Sequence, residues 1–110
     1  DAMIVKEFDM TFNLIKIYEL SETIIEYGGY QGSFWEDEYF YVQMHGPNEL
    51  GMNPAKGLDK YYFDGSQFIF KCTEPPLSYG AGQGVAFYKN TILQNDRPMN
   101  SIVLRKQKTL

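Results

Sequence analysis

The sequence predicts an α+β domain, in which a small antiparallel sheet is accompanied by one helix over residues 10–27. An all-β sandwich or barrel is the alternative. The chain has 110 residues, the size of one compact domain covering residues 1–110. Aromatic residues make up 16% of it and favour half-buried sheets. Most segments after residue 28 alternate between apolar and polar positions, whereas residues 10–27 contain no glycine or proline.

The first elements are a strand and an ambiguous segment. The alternating stretch MIVKEF (3–8) predicts a strand. In the helical interpretation of residues 10–27, Asp9 is the N-cap and Gly28-Gly29 end the helix. The apolar positions of that helix are Leu14, Ile17, Tyr18, Ile24 and Ile25. The isoleucines and threonines also fit a hairpin that turns at residues 19–22, so both interpretations stay open.

The later segments predict strands. The stretches EYFYVQM (38–44), GVAFYKN (84–90) and SIVLRKQ (101–107) are each rich in β-branched or aromatic residues. Between them, YYFDGSQFIF (61–70) predicts a β-hairpin, because Asp64-Gly65-Ser66 supplies the positive φ of a tight turn. Strict alternation places Cys72 beside Phe68 and Phe70 as a small buried apolar group.

Two segments rich in glycine and proline predict long loops over residues 45–59 and 73–84. Loops of this length in a compact domain are uncommon and often carry function. We therefore expect these two loops to present the contact residues of the protein.

Composition restricts the function classes. One cysteine and one histidine exclude an internal disulfide and disfavour a zinc site within one chain, and no cofactor is predicted. The pI near 4.9 disfavours nucleic acid as a partner. No run of about 18 apolar residues occurs, so no membrane segment is expected. An intracellular, cytoplasmic location is predicted, with secretion of a processed chain as the alternative.

Charge is unevenly distributed along the chain. Residues 1–64 carry 12 acidic and 4 basic side chains, and residues 65–110 carry 2 acidic and 6 basic ones. Pairing of oppositely charged surfaces between two copies is one interpretation, and an exposed sheet edge is a second route to a homo-oligomer. Neutralisation of the two halves within one fold is the simpler alternative.

Three patterns resemble reactive sites but fit structural roles better. The glycines of YGAGQG (79–84) lack the lysine of a phosphate loop and precede a predicted strand. His45, Cys72 and Asp96 or Asn95 are the residue types of a thiol triad, but one of each is common by chance. Adjacent carboxylates at residues 36–38 point to opposite faces of a strand and predict a solvated turn.

Three short motifs resemble the loops of chagasin-type inhibitors of papain-like cysteine proteases. GGYQGSFW (28–35) is similar to the first loop in Gly32 and Trp35, GAGQG (80–84) to the second, and RPM (97–99) to the third. Met99 stands where that family has tryptophan. The resemblance implies a β-sandwich whose three loops enter a protease cleft.

The predicted function is a non-catalytic protein-interaction module, such as an inhibitor, an immunity or anti-defence protein, or an adaptor. Exposed aromatic residues and methionine anchor interfaces. For Tyr30 and Trp35, packing in the core is an equally good interpretation. A chagasin-like inhibitor, a small-ligand binder or enzyme, and a nucleic-acid-binding protein are the alternative functions. The candidate contact residues are Tyr30, Trp35, His45, Met52, Tyr79, Gly80 and Gly82.

Overall fold

The computed structural model describes residues 2–24, 30–44, 57–78, 84–96 and 99–107. Within these residues the chain forms nine strands in three antiparallel sheets. The first sheet is a hairpin of β1 (Ala2–Phe8) and β2 (Leu14–Ile24). The second contains four strands in sequential order: β3 (Tyr30–Glu36), β4 (Tyr39–Met44), β5 (Gly57–Phe63) and β6 (Phe68–Glu74). The third contains β7 (Val85–Tyr88), β8 (Thr91–Asp96) and β9 (Ser101–Lys106).

The four-stranded sheet is the middle layer. Met3 and Leu20 of the β1–β2 hairpin pack on one of its faces against Phe40, Val42 and Tyr61. The opposite face is covered by the three-stranded sheet, where Ile92 joins a second cluster of buried side chains. The buried partners of Ile92 in the middle sheet are Phe34, Tyr41 and Leu58. Both faces of the middle strands are therefore apolar, which accounts for their dense aromatic content.

The α+β prediction is not confirmed, because all regular elements among the described residues are β-strands. The helix predicted over residues 10–27 is wrong for the part of that segment that the structure describes, residues 10–24. Residues 14–24 form β2, which pairs with β1 in a register that includes Val5 with Tyr18 and Lys6 with Ile17. Pairing with β1 decides the outcome: Tyr18 and Leu20 are buried on one face of the strand, and Glu19 between them is exposed. The all-β alternative is the one that the structure supports.

The hairpin predicted at residues 61–70 is confirmed. Gly65 has a φ of 98°. The Asp64 carboxylate accepts hydrogen bonds from the backbone N–H groups of Ser66 at 2.8 Å and Gln67 at 2.9 Å. These bonds lower the pKa of Asp64, the bond from Ser66 most strongly. The short polar side chain fixes the turn locally, as turn statistics predict.

The expected position of Cys72 is wrong. Lys60 pairs with Cys72 and Tyr61 pairs with Phe70, so Lys71 is an extra residue in β6. Such a β-bulge reverses the alternation beyond it. Cys72 consequently lies on the face opposite Phe70 and is exposed.

The other predicted strands are confirmed at their centres by β1, β4, β7 and β9, whereas β3 and β8 were not predicted. Strands extend into both predicted loops, so each loop is shorter than predicted at the end that the structure describes. Gly57 begins β5, so residues 57–59 are not part of a loop, and residues 73–74 belong to β6. Residues 45–56 and 79–83 lie outside the described residues.

Candidate protein-interaction surface

The structure places only part of the predicted contact set. Trp35 lies in β3, is 46% exposed and packs its ring on Phe40 at a centroid distance of 4.9 Å. Tyr30 begins β3, and the position of its side chain is not described. The remaining candidates lie outside the described residues, namely His45, Met52, Tyr79, Gly80 and Gly82. Trp35 is thus both a core contact and a surface residue.

The chagasin-like motifs do not all form loops. Gly32 and Trp35 of the first motif lie within β3, where Gly32 is packed against Val85 of β7. Residues 80–83 and 97–98, which contain most of the second and third motifs, are outside the described residues. Cysteine-protease inhibition therefore stays a prediction.

The beginning of the second predicted loop is attached to β8. The Leu77 backbone N–H donates to Oε1 of the buried Gln94 at 3.0 Å. The Ser78 hydroxyl donates to Oδ2 of the buried Asp96 at 2.6 Å, and the Met99 backbone N–H donates to Oδ1 at 3.2 Å. Asp96 thereby connects two segments of the backbone, which is a structural role for a residue that the triad hypothesis also named.

A cavity of about 410 Å³ lies between the middle sheet and the end of β9. Its wall is mostly charged, with ionisable groups of both signs. The guanidinium of Arg105 forms a salt bridge with Glu74 at 2.6 Å. The seven residues that line the cavity are Glu36, Tyr41, Lys60, Glu74, Arg105, Lys106 and Gln107.

Tyr41 and Lys60 form the inner wall of this cavity. Burial raises the pKa of the Tyr41 hydroxyl, which donates to Glu36 Oε1 at 3.3 Å. Burial acts to lower the pKa of Lys60, but its hydrogen bond with Tyr41 and the nearby charges outweigh this effect and raise the pKa. Near neutral pH the phenol therefore keeps its proton and the ammonium keeps its charge, so neither group is poised for general base catalysis.

Residues 36–38 behave largely as the predicted turn. Asp37 is exposed and has a φ of 53°, and it connects β3 to β4 together with the exposed Glu38. Glu36 differs because its carboxylate accepts hydrogen bonds from Tyr41 and, at 3.4 Å, from the amide of Gln107. Within the described residues, no group of three histidine, cysteine or acidic side chains is arranged to hold a metal ion.

The most unusual surface is on the β1–β2 hairpin. Its inner face packs on the middle sheet through Met3 and Leu20, yet its outer face and its turn also carry large apolar side chains. Seven large apolar side chains there are between 47 and 96% exposed. We call this set the hairpin apolar surface: Ile4, Phe8, Met10, Phe12, Leu14, Ile15 and Ile17.

A polar turn holds the end of this hairpin in one conformation. The Asp9 carboxylate accepts hydrogen bonds from the backbone N–H groups of Thr11 and Asn13, both at 2.9 Å. The side chains of Thr11 and Asn13 also donate to it, at 3.0 and 3.2 Å. Phe12 has a φ of 65° and is 86% exposed, and Met10 is 96% exposed. The turn thus directs two large apolar side chains into solvent.

The Asp9 turn gives the protein a distinctive acid response. Hydrogen bonds from Asn13 and Thr11 lower the pKa of Asp9 from 3.8 to about 2, and the backbone N–H of Asn13 has the largest effect. A carboxyl whose pKa is lowered by folding stabilises the protein above its ordinary pKa. That stabilisation decreases as the pH falls through the interval between the two values.

We expect Asp9→Asn to lower the free energy of unfolding near neutral pH. The difference in free energy of unfolding between the variant and wild type, the stability gap, should shrink as the pH falls from 3.8 towards 2. Urea denaturation of both proteins at stepped pH measures this gap. The lowered pKa of Asp64 is common to both proteins and cancels in the comparison. A gap that stays constant over the whole interval would contradict the assignment.

A second group of exposed apolar side chains lies on the outer side of the three-stranded sheet. Ile102 and Leu104 of β9 are both more than half exposed, and Leu104 pairs with Leu93 of β8. This group is smaller than the hairpin apolar surface. It serves as a matched control for experiments on the hairpin.

A scan against models of known protein families gives no match for this chain, and searches of curated proteins and of solved structures give none either. The described part of the chain also contains no helix of the length and apolarity needed to cross a bilayer.

Proposed function

We propose that this protein is a non-catalytic protein-interaction module that binds its partner through the hairpin apolar surface. The observation that carries the proposal is the exposure of seven large apolar side chains on one hairpin. Proteins that act as monomers rarely expose contiguous apolar patches of this kind, and larger patches mark interaction sites. The inner face of the same hairpin is buried, so the surface belongs to a folded element and not to an unpacked one.

The turn of the hairpin has the properties of an interface anchor. Phe12 and Met10 protrude, and the hydrogen bonds to Asp9 already fix the backbone that carries them. A contact element that is ordered before binding loses less conformational entropy on association. Large apolar and aromatic side chains that enter a partner pocket contribute most of the binding free energy at typical interfaces.

The charged cavity supports a non-catalytic role within this proposal. Arg105 and Glu74 neutralise each other at 2.6 Å, and the Tyr41 hydroxyl is hydrogen-bonded to Glu36. The Arg105–Glu74 pair connects β9 to β6 across the cavity, whereas the Tyr41–Glu36 bond lies within the middle sheet. The remaining parts of the two predicted contact loops, residues 45–56 and 75–84, stay proposed as contact elements in addition to the hairpin.

The test is differential capture from the cells in which the protein occurs. The tagged bait variants are Phe12→Ser with Ile17→Ser on the hairpin, and Ile102→Ser with Leu104→Ser as the matched control. We expect wild type and control to retain the same protein in stoichiometric amount, identified by mass spectrometry. The hairpin variant should bind the partner at least about thirtyfold more weakly, since two anchor residues of about 1–2 kcal/mol or more each contribute at least about 2 kcal/mol together.

Circular dichroism of both double variants shows whether they remain folded. Equal capture by the hairpin variant and wild type would refute the hairpin as the contact surface. Loss of capture by the control alone would indicate that the partner binds the three-stranded sheet.

A further inference from the structure

We infer that the protein bound by the hairpin apolar surface is a second copy of this chain, in a two-fold symmetric dimer. This inference rests on the proposed function, because it names the partner of the same surface. It is carried by the arrangement of four outward-facing residues at the centre of the hairpin.

These four residues form two directly opposed pairs. Ile4 is paired with Glu19, and Lys6 with Ile17. All four are exposed, while Met3, Val5 and Leu20, which alternate with them along the strands, pack against the middle sheet. Directly opposed side chains on one sheet face are about 5 Å apart and diagonal ones about 7–8 Å. Lys6 and Glu19 therefore occupy opposite corners of a four-residue unit whose remaining corners are isoleucines.

This arrangement is complementary to itself. A half-turn about the diagonal from Ile4 to Ile17, in the plane of the face, brings a second copy face to face with the first. Lys6 of each copy then lies opposite Glu19 of the other, and the isoleucines contact one another. A two-fold interface uses the same patch on both partners, so the favourable charge contact is formed twice. The strands of the two hairpins cross steeply, as in orthogonal sheet packing.

The charges and apolar side chains around the four residues also favour a second copy of the chain as the partner. Among the described residues, neither Lys6 nor Glu19 forms a salt bridge within its own chain, so both charges are available for an intermolecular one. Phe8 and Ile15 extend the apolar area towards the turn. A patch with charges of one sign would repel its own copy, whereas one cation and one anion at opposite corners favour it.

The test is analytical ultracentrifugation of the full chain, with a reductant present because Cys72 is exposed and would otherwise cross-link two copies. We expect wild type to dimerise with a Kd of about 1–100 µM. Lys6→Glu and Glu19→Lys should each weaken dimerisation about tenfold or more, because each places like charges opposite one another.

The decisive sample is an equimolar mixture of the two variants. In a mixed dimer the two reversed charges, a new carboxylate at position 6 and a new ammonium at position 19, face each other at one contact. The unchanged Glu19 and Lys6 face each other at the second contact, so the mixture should regain an affinity close to that of wild type. Lys89→Glu, a charge reversal on the turn between β7 and β8, is the control and should dimerise as wild type does. Unchanged circular dichroism spectra of the variants show that their folds are intact, since thermal unfolding would itself shift with the loss of the dimer.

Two outcomes would overturn the inference: wild type that is monomeric at about 500 µM, or a mixture that associates no better than each variant alone. Neither outcome affects the capture experiment, which reports on any protein partner of the hairpin. A hairpin variant with undiminished capture would instead remove the proposed function and leave the dimer measurement as an independent result.

Discussion

Gly57→Ala is expected to lower the free energy of unfolding by about 3–5 kcal/mol, a loss that only a few mechanisms produce. Gly57 begins β5 with a φ of 112°, a conformation that residues with a Cβ rarely adopt. A Cβ at this position would also overlap the carbonyl oxygen of Glu74 on β6. Relief of the overlap requires β5 and β6 to move apart where β5 begins and β6 ends, which weakens their pairing.

Gly65→Ala is the matched control for this substitution. Gly65 also has a positive φ, of 98°, but a Cβ there would meet no atom within 4 Å. Only the conformational cost remains, so we expect a loss of about 1–2 kcal/mol. Urea denaturation of the three proteins separates the two contributions, and equal losses in both variants would contradict the role of the Glu74 carbonyl.

Phe34→Ala is expected to cost about 3–5 kcal/mol. The ring of Phe34 lies between two others, with Tyr41 of the middle sheet at 4.6 Å and Phe87 of the three-stranded sheet at 5.2 Å between centroids. Both neighbours are stacked on it. Removal of this ring leaves a cavity in the contact between the two sheets, and the surrounding β structure can collapse into it only in part.

Tyr88→Ala is the control for the aromatic contact, because Tyr88 lies on β7 next to Phe87 but is exposed. Its loss should be within about 0.5 kcal/mol of zero. Guanidinium chloride denaturation followed by fluorescence gives both values. A Phe34→Ala variant that is as stable as the Tyr88→Ala variant would show that the stacked rings do not join the sheets.

Local chemistry made part of the fold predictable. The hairpin at residues 61–70 follows from Asp64-Gly65-Ser66 and the flanking aromatics, because its turn is stabilised by contacts within four residues. The sequence of β2 leaves a helix and a hairpin open because its apolar positions fit both periods over a short window. Neither the helix nor a turn at residues 19–22 is present, because residues 14–24 form one strand. The choice is made by pairing with β1, a contact between segments that local patterns do not specify.

The position of Cys72 shows a second limit. Strict alternation assigned it to the buried face, and the single extra residue at Lys71 reversed that assignment. A bulge depends on how two strands fit against their neighbours, and β6 carries no glycine that would signal one.

The candidate surface was harder to predict than the fold. Long loops rich in glycine and proline attracted the prediction, and most of their candidate residues lie outside the described part of the chain. The hairpin apolar surface is difficult to predict because its strands carry apolar residues on both faces. Ile17 was interpreted as a core position of a helix, and a strand with apolar residues on both faces has no alternation to mark the exposed side.

The extra residue in β6 has a practical consequence. It turns the chain's single thiol outward, so a maleimide dye reacts at one known position without entering the interior. Because no second thiol competes, every labelled molecule is identical. Energy transfer between donor- and acceptor-labelled molecules then reports directly on whether two of them meet.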